Sequence, residues 1–166
     1  MLRGMLTVER LRADHAPALL DFERENRAYF ARSVSDRGEA YFAEFADRHR
    51  ALLAEQEAGL LHLHVVLDGD GALVGRVNLV CDGPGAPELG YRIARRAAGR
   101  GVATAAVAEV CRLAGAVYGL TELQAFTTAD NHASRTVLER NAFTHVGEAT
   151  LPRTDRPGLR YHRTLP

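Results

Sequence analysis

The sequence predicts one domain of mixed α/β class, a central sheet with helices packed against it. Three observations carry this reading. Apolar runs alternate between period two and period three-to-four in the order β-α-α-β-β-β-α-β-α-β-β, about seven strands and about four helices. A tight "DGDG" turn at Asp68–Gly71 joins two apolar runs as a hairpin. A strand, "ELGYRI", runs into a glycine-rich loop and then a long amphipathic helix. The 166 residues suffice for one domain with a real core, and no repeat or interdomain linker divides them.

"LTVERL" (6–11) alternates and reads as the first strand. Asp14 is placed to cap a helix carrying Ala18, Leu19 and Phe22. The pattern breaks over 25–36. A second helix is expected from Asp36, with Tyr41, Phe42, Phe45, Leu52 and Leu53 apolar, closed by Gly59. Residues 60–67 and 72–80 form the hairpin strands, and "CDGPGAP" is a loop. Residues 88–93 alternate, with Leu89, Tyr91 and Ile93 on one face. From Gly101 to Tyr118, Ala103, Val107, Val110, Ala114 and Val117 recur at helical steps. Residues 121–128 read as a strand, and a short helix begins at Asp130 or Asn131. "THVGEATL" and "GLRYHRTL" are the closing strands.

Composition narrows the function classes. Hydrophobic content is 46%, charged content 25% and formal net charge zero, so no global field draws the chain to nucleic acid or anionic membrane. All 21 basic residues are arginine, which excludes lysine Schiff-base chemistry. Two cysteines, Cys81 and Cys111, give no disulfide framework and suit a reduced compartment. Cys111 falls on the buried side of its helix and Cys81 has no base partner, so neither supports a covalent intermediate. The N-terminal residues lack the apolar core of a signal peptide, and no run reaches transmembrane length; a cytoplasmic protein is expected. His62 and His64 share one side of a strand without a third ligand, and no metal site is expected.

The stretch "RRAAGRGVATAA" (95–106) carries the chemistry. It lies between a strand and a helix. The first amides of a helix have no partner within it and bear the positive end of its dipole, worth about 0.3–1 kcal/mol to a nearby anion. Glycine lets backbone approach a ligand without a Cβ in between. Together these form an anion cradle suited to a pyrophosphate. A P-loop is excluded because its Gly-Lys-Ser/Thr is missing, and two glycines do not make a dinucleotide fingerprint. The plain alternative is a solvated turn with surface arginines.

Arg96-Ala97-Ala98-Gly99-Arg100-Gly101 matches Arg/Gln-x-x-Gly-x-Gly/Ala, and "TTADNHASRTVLERNAF" follows about thirty residues later with Asn-x-x-Ser and a short helix. On these motifs the chain resembles the GNAT N-acetyltransferase superfamily, most of all its RimJ/RimL branch of ribosomal-protein N-terminal acetyltransferases. The resemblance covers about residues 88–147 strongly; "ENRAYF" agrees weakly. It implies a mostly antiparallel sheet splayed in the middle and acetyl-CoA as co-substrate. It further implies that the pantetheine lies along Tyr91 and Ile93, and the pyrophosphate on amides around Arg96, Gly99, Arg100, Gly101, Val102 and Ala103. Gly101→Val is expected to block that site sterically.

By the same resemblance, a neutral amine attacks the thioester directly. Glu88 is the expected proton acceptor; a water relay, or a solvated strand-end glutamate, are the other readings. The tyrosine that many GNAT enzymes place on the second-motif helix is Leu138 here, so Ser134, one turn earlier on the same face, is assigned as donor to the CoA sulfur. Ser134 reads equally as a helix-start serine bonding its own backbone. Asn131 is an N-cap first and a CoA contact second. Ala142 stands where the family has glycine; a left-handed alanine costs about 1–2 kcal/mol, and Asn141 is the other residue able to take that conformation.

Asn26, Tyr29, Phe30 and Arg32 fall where the superfamily covers its acceptor, although Tyr29 and Phe30 also suit packing on the sheet. The leading acceptor is a protein N-terminal amine, with a small amine such as an antibiotic or polyamine as the rival. A non-catalytic acyl-CoA sensor would keep the cradle and need neither Glu88 nor Ser134. A monomer or homodimer is expected, without nucleic-acid or membrane partners.

Overall fold

A computed structural model describes residues 6–166. The start of the segment read as lacking a leader, residues 1–5, lies outside the described residues. Seven strands form one sheet in the order β1-β2-β3-β4-β5-β7-β6. They are β1 (Thr7–Arg10), β2 (Leu61–Leu67), β3 (Leu73–Val80), β4 (Glu88–Ile93), β5 (Glu122–Thr127), β6 (Thr144–Thr150) and β7 (Pro157–Thr164). All neighbours are antiparallel except β4 and β5. Helices α1 (Ala16–Glu25), α2 (Arg27–Phe30), α3 (Glu39–Ala43) and α4 (Phe45–Glu57) precede β2. Helix α5 (Val102–Ala116) follows β4, and α6 (His132–Arg140) follows β5.

Two apolar clusters hold the layers together. Val77, Leu79, Leu89 and Ile93 of the sheet pack with Val107, Val110 and Cys111 of α5 and Leu138 of α6. Leu63 and Val65 of β2 pack with Leu19 and Phe22 of α1, Phe30 of α2 and Phe45 of α4. Burying side chains on both faces of a central sheet is the main driving force for this layering.

Several local details differ from the sequence expectations. Asp14 caps nothing. The chain enters α1 through a 3-10 turn at Ala13–His15, where the Arg12 amide donates to His15 Nδ1 at 2.9 Å. The Asp14 carboxylate instead accepts from Arg12 Nε at 3.0 Å. The helix expected from Asp36 is two helices. Asp36 accepts from the Gly38 amide and from Arg27, so α3 starts only after Gly38, whose φ is 89°. The break at Glu44 re-aims the chain: α3 buries no residue, whereas α4 buries Phe45, His49 and Gln56. Six helices therefore stand where about four were read, the short α2 filling the stretch where periodicity failed. Helix α5 stops at Ala116, leaving Val117 63% exposed and off the core stripe. At the end of α6 it is Ala142, not Asn141, that turns left-handed (φ 63° against −103°).

The hairpin turn matches its reading. Asp68 Oδ1 accepts from the amides of Asp70 and Ala72, both at 2.9 Å. Gly59 closes α4 at φ 79°.

Candidate active site

The site is built around the one parallel junction. Strands β4 and β5 pair only at Glu88 and Gln124, with the Gln124 amide donating to the Pro87 carbonyl at 2.8 Å. Gln124 fastens this base. Its Nε2 donates to the carbonyls of Pro84 (3.1 Å) and Ala86 (2.8 Å), and its Oε1 accepts from Arg160 Nε at 2.8 Å. Beyond this point no register joins the two strands, and they diverge.

The phase of β4 decides what faces the gap. The Ala94 amide donates to the Val74 carbonyl at 2.8 Å, in register with Arg92–Arg76 and Gly90–Asn78. In an antiparallel ladder hydrogen-bonded and non-hydrogen-bonded pairs alternate. Gly90 and Arg92 thus turn their backbone groups to β3, and Tyr91 and Ile93 turn theirs into the gap. This edge could hydrogen-bond an extended ligand chain.

The glycine-rich loop closes the open end. Gly99 and Gly101 adopt φ of 74° and 78°, a region that favours glycine. The Ala97 and Ala98 amides turn inward to Ala94 and Arg95, and the Ala105 amide bonds to the Gly101 carbonyl. The amides of Gly99, Arg100, Gly101, Val102, Ala103 and Thr104 find no acceptor among the described residues, the last three because they open α5. The Arg96 amide is likewise free, while its side chain lies 3.7 Å from Asp68. Arg100 is exposed, and Val102 and Ala103 pack partly on the core. A Cβ on Gly101 would meet no protein atom within 4 Å, so a side chain there crowds a ligand first, while its left-handed φ strains the backbone.

Glu88 stands at the base of the wedge. Both its oxygens are held by Arg153, from the β6–β7 loop, at 3.2 and 3.1 Å. Arg153 itself is left-handed at φ 64°, a strained state for a non-glycine residue. The sequence offered no sign of this pair, since 65 residues separate its members.

Across the gap, Asn131 caps α6 by accepting the Ser134 amide at 3.1 Å. Burial pushes the Tyr91 phenol up, and the Ser134 side chain opposes that rise. Tyr91 of β4 and Ser134 of α6 thus lie near each other beside the wedge. The sequence had given Tyr91 a backbone role only; its phenol is the overlooked group.

Of the expected acceptor residues, only two keep free side chains. Asn26 is buried, donating to the Phe22 carbonyl and accepting the Arg95 amide, both at 2.9 Å. Phe30 is buried against Phe22, ring centroids 5.5 Å apart. Asn26 thus anchors the start of the cradle, and Phe30 packs in the core. Tyr29 is half-buried, and Arg32 is exposed with its guanidinium 5.8 Å from the Tyr29 ring.

Other reactive groups lie elsewhere. His62 and His64 both contact Tyr118, by a ring stack at 3.8 Å and a 2.6 Å hydrogen bond. Burial holds His64 down at about 4 and pushes the Cys81 and Cys111 thiols up. Among the described residues no group of three or more His, Cys, Asp or Glu side chains could hold a metal ion. Among them, too, no helix is long and apolar enough to cross a membrane.

Comparison with known proteins places this geometry. The ribosomal-protein-S5-alanine acetyltransferase of Vibrio fischeri superposes with a TM-score of 0.88 at 19% identity, over 97% of this chain and 93% of that one. Mycobacterium smegmatis RimJ, solved with CoA-disulfide, gives 0.84 at 21% identity, over 96% and 81%. The spermidine N-acetyltransferase of Vibrio cholerae, solved with CoA and spermine, gives 0.81 at 15%, over 98% and 96%. These are likenesses of fold. No curated protein matches at the level of sequence. The family profile described as "Acetyltransferase (GNAT) domain" matches residues 5–144, the span that builds the sheet to β5, the cradle and α6. The splayed strand pair and the unpaired amides thus sit in an acetyltransferase domain, and the chain belongs to the GNAT family.

Proposed function

We propose that this acetyltransferase uses acetyl-CoA to acetylate a primary amine, and that the amine is the N-terminal amine of a protein. The observation that carries the cofactor part is the run of unpaired amides from Gly99 to Thr104, set beyond a β4 edge whose Tyr91 and Ile93 backbone groups are free. Six successive unpaired amides at a helix start suit a diphosphate, which offers acceptor oxygens and negative charge together. The free edge suits the amide-bearing pantetheine arm. Arg96, Arg100, Val102 and Ala103 contribute here through backbone, and Asn131 by holding α6 in place.

The thioester then lies near the base of the wedge. Glu88 takes the proton of the attacking amine, directly or through a water, once Arg153 releases its carboxylate. The Ser134 hydroxyl protonates the departing thiolate and recovers its proton from solvent. The C–N bond forms as the C–S bond breaks, with no acyl-enzyme. The fold likeness to two ribosomal-protein acetyltransferases supports the N-terminal acceptor. The likeness to a spermidine N-acetyltransferase supports a second reading, a small polyamine acceptor.

A panel of peptides, polyamines and small amines with acetyl-CoA tests this. Turnover on peptide N-termini alone supports the first reading; turnover on polyamines alone replaces it. CoA binding without turnover on any acceptor turns the reading to a sensor. Thiol release by Glu88→Gln and Ser134→Ala tests the roles: each variant should lose about 10²-fold or more in kcat. Unchanged rates remove both assignments.

A further inference from the structure

The open face of β4 carries a charge imbalance. Glu88, Gly90 and Arg92 alternate onto this face, away from the Leu89 and Ile93 side that α5 covers. Gly90 is exposed, and nothing lies within 4 Å of where its Cβ would be. An amine approaching Glu88 would therefore reach it along this face.

At the far end of the same face sits a single carboxylate among three guanidiniums. Glu23 of α1 is 1% exposed. Its Oε1 accepts from Arg37 Nε (3.1 Å) and Arg92 Nη1 (3.2 Å), and its Oε2 from Arg37 Nη2 (3.1 Å) and Arg76 Nη1 (3.0 Å). Four hydrogen bonds saturate the carboxylate. The arginines still have donors to spare: Arg76 Nε is buried without a partner, and Arg92 offers only Nη1 to the chain. The rim adds little. Arg27 is held by Asp36 and by Glu39, which is almost fully in solvent and so screened.

Three positive charges against one negative leave a surplus of two at a site that is largely dry. Uncompensated buried charge is costly, so a bound counter-charge would relieve this surplus. The stress shows at Arg92: burial and then the Arg37 charge bring its guanidinium down to about 10, which keeps it charged at neutral pH. Arg92 and Arg37 remain reachable, with side chains 19% and 26% exposed.

We infer that the acceptor is an acidic N-terminus, its amine at Glu88 and a carboxylate side chain on its second or third residue at Arg92 and Arg37. The spacing sets the register. Four residues of strand separate Glu88 from Arg92, about 13 Å between their Cα atoms. An extended peptide advances about 3.3–3.6 Å per residue, and the two protein side chains use part of the distance. A carboxylate on the second or third residue of the acceptor then meets the guanidiniums. The same surplus disfavours a polyamine, whose further ammonium groups would face like charge. This inference rests on the proposed acetyl transfer at the same face.

The test compares three peptides identical except for aspartate, asparagine or arginine at positions two and three. Binding is measured by calorimetry to the protein saturated with CoA, and kcat/KM is measured with acetyl-CoA. The aspartate peptide should bind about tenfold or more tightly than the asparagine one, and the arginine peptide weakest. Arg92→Gln and, independently, Arg37→Gln should shrink the aspartate-to-asparagine ratio toward one, each checked for cooperative thermal unfolding. A wild-type ratio below about threefold, or a ratio that survives in both folded variants, overturns the inference. Discrimination in binding without acetylation of any peptide leaves the guanidiniums as a site for acidic peptides but overturns both the acidic-acceptor inference and the N-terminal acetylation reading. Acetylation without discrimination overturns the inference alone.

Discussion

Replacing Glu23 by glutamine tests how α1 is held to β3 and β4. The carboxylate receives four hydrogen bonds from Arg37, Arg76 and Arg92 and is 1% exposed, so solvent cannot take its place. Removing one partner of a buried ion pair costs about 3–5 kcal/mol, because the remaining charge is left uncompensated. Glutamine keeps one acceptor oxygen, which favours the lower end, about 3 kcal/mol. For a domain of this length that lowers Tm by about 6–12 °C. The pH dependence gives a second reading. Burial pushes the Glu23 carboxyl up, but Arg37, with Arg76 and Arg92, more than offsets it and leaves it below 4.5. A carboxyl lowered in the folded state stabilises the fold above its unfolded-state value, and that stabilisation disappears as pH falls through the folded-state value. Thermal melts of wild type and Glu23→Gln should thus differ fully at pH 7 and converge below about pH 4.5. A difference under 2 °C at pH 7, or one that persists undiminished in acid, would refute this account of the cluster.

Three further outcomes follow from the geometry. His64, 1% exposed and held down at about 4 by burial, resists protonation in the fold, so stability should fall by up to about 3 kcal/mol between pH 6.5 and pH 4. Denaturant titrations across that range check it, and His64→Asn should flatten the slope. Ala142→Gly should stabilise the chain by about 1 kcal/mol, because φ is 63° there; a lowered urea midpoint would count against it. Gly101→Val should weaken CoA binding about tenfold or more by calorimetry while unfolding only modestly earlier, since a Cβ there meets no protein atom and the strain at φ 78° is about 1–2 kcal/mol.

The family was legible in the sequence because the cradle is local. Its glycines, the strand before it and the helix after it lie within about thirty residues, and backbone chemistry there depends on spacing more than on side-chain identity. Element order was legible for the same reason: β4 has the bounds its alternation marks, and Asn131 caps α6 as its position after "TTAD" suggests. Periodicity failed where packing overrode it, as at Glu44, where the chain bends to carry Phe45 inward, and at Val117, one residue past the end of α5.

What joins distant segments was decided only by the tertiary structure. Nothing near Glu88 in the chain announces Arg153, and nothing near Arg92 announces Glu23. The resemblance placed Asn26 among the acceptor residues, and only the fold shows both ends of its amide bonded, to Phe22 and Arg95. Sequence by itself determined that a diphosphate-sized set of amides would exist, because those amides are neighbours along one backbone. Which charges gather around Glu23 and Glu88 depends on strand pairing and helix docking, which bring together side chains up to 69 residues apart, and no local pattern encodes that distance.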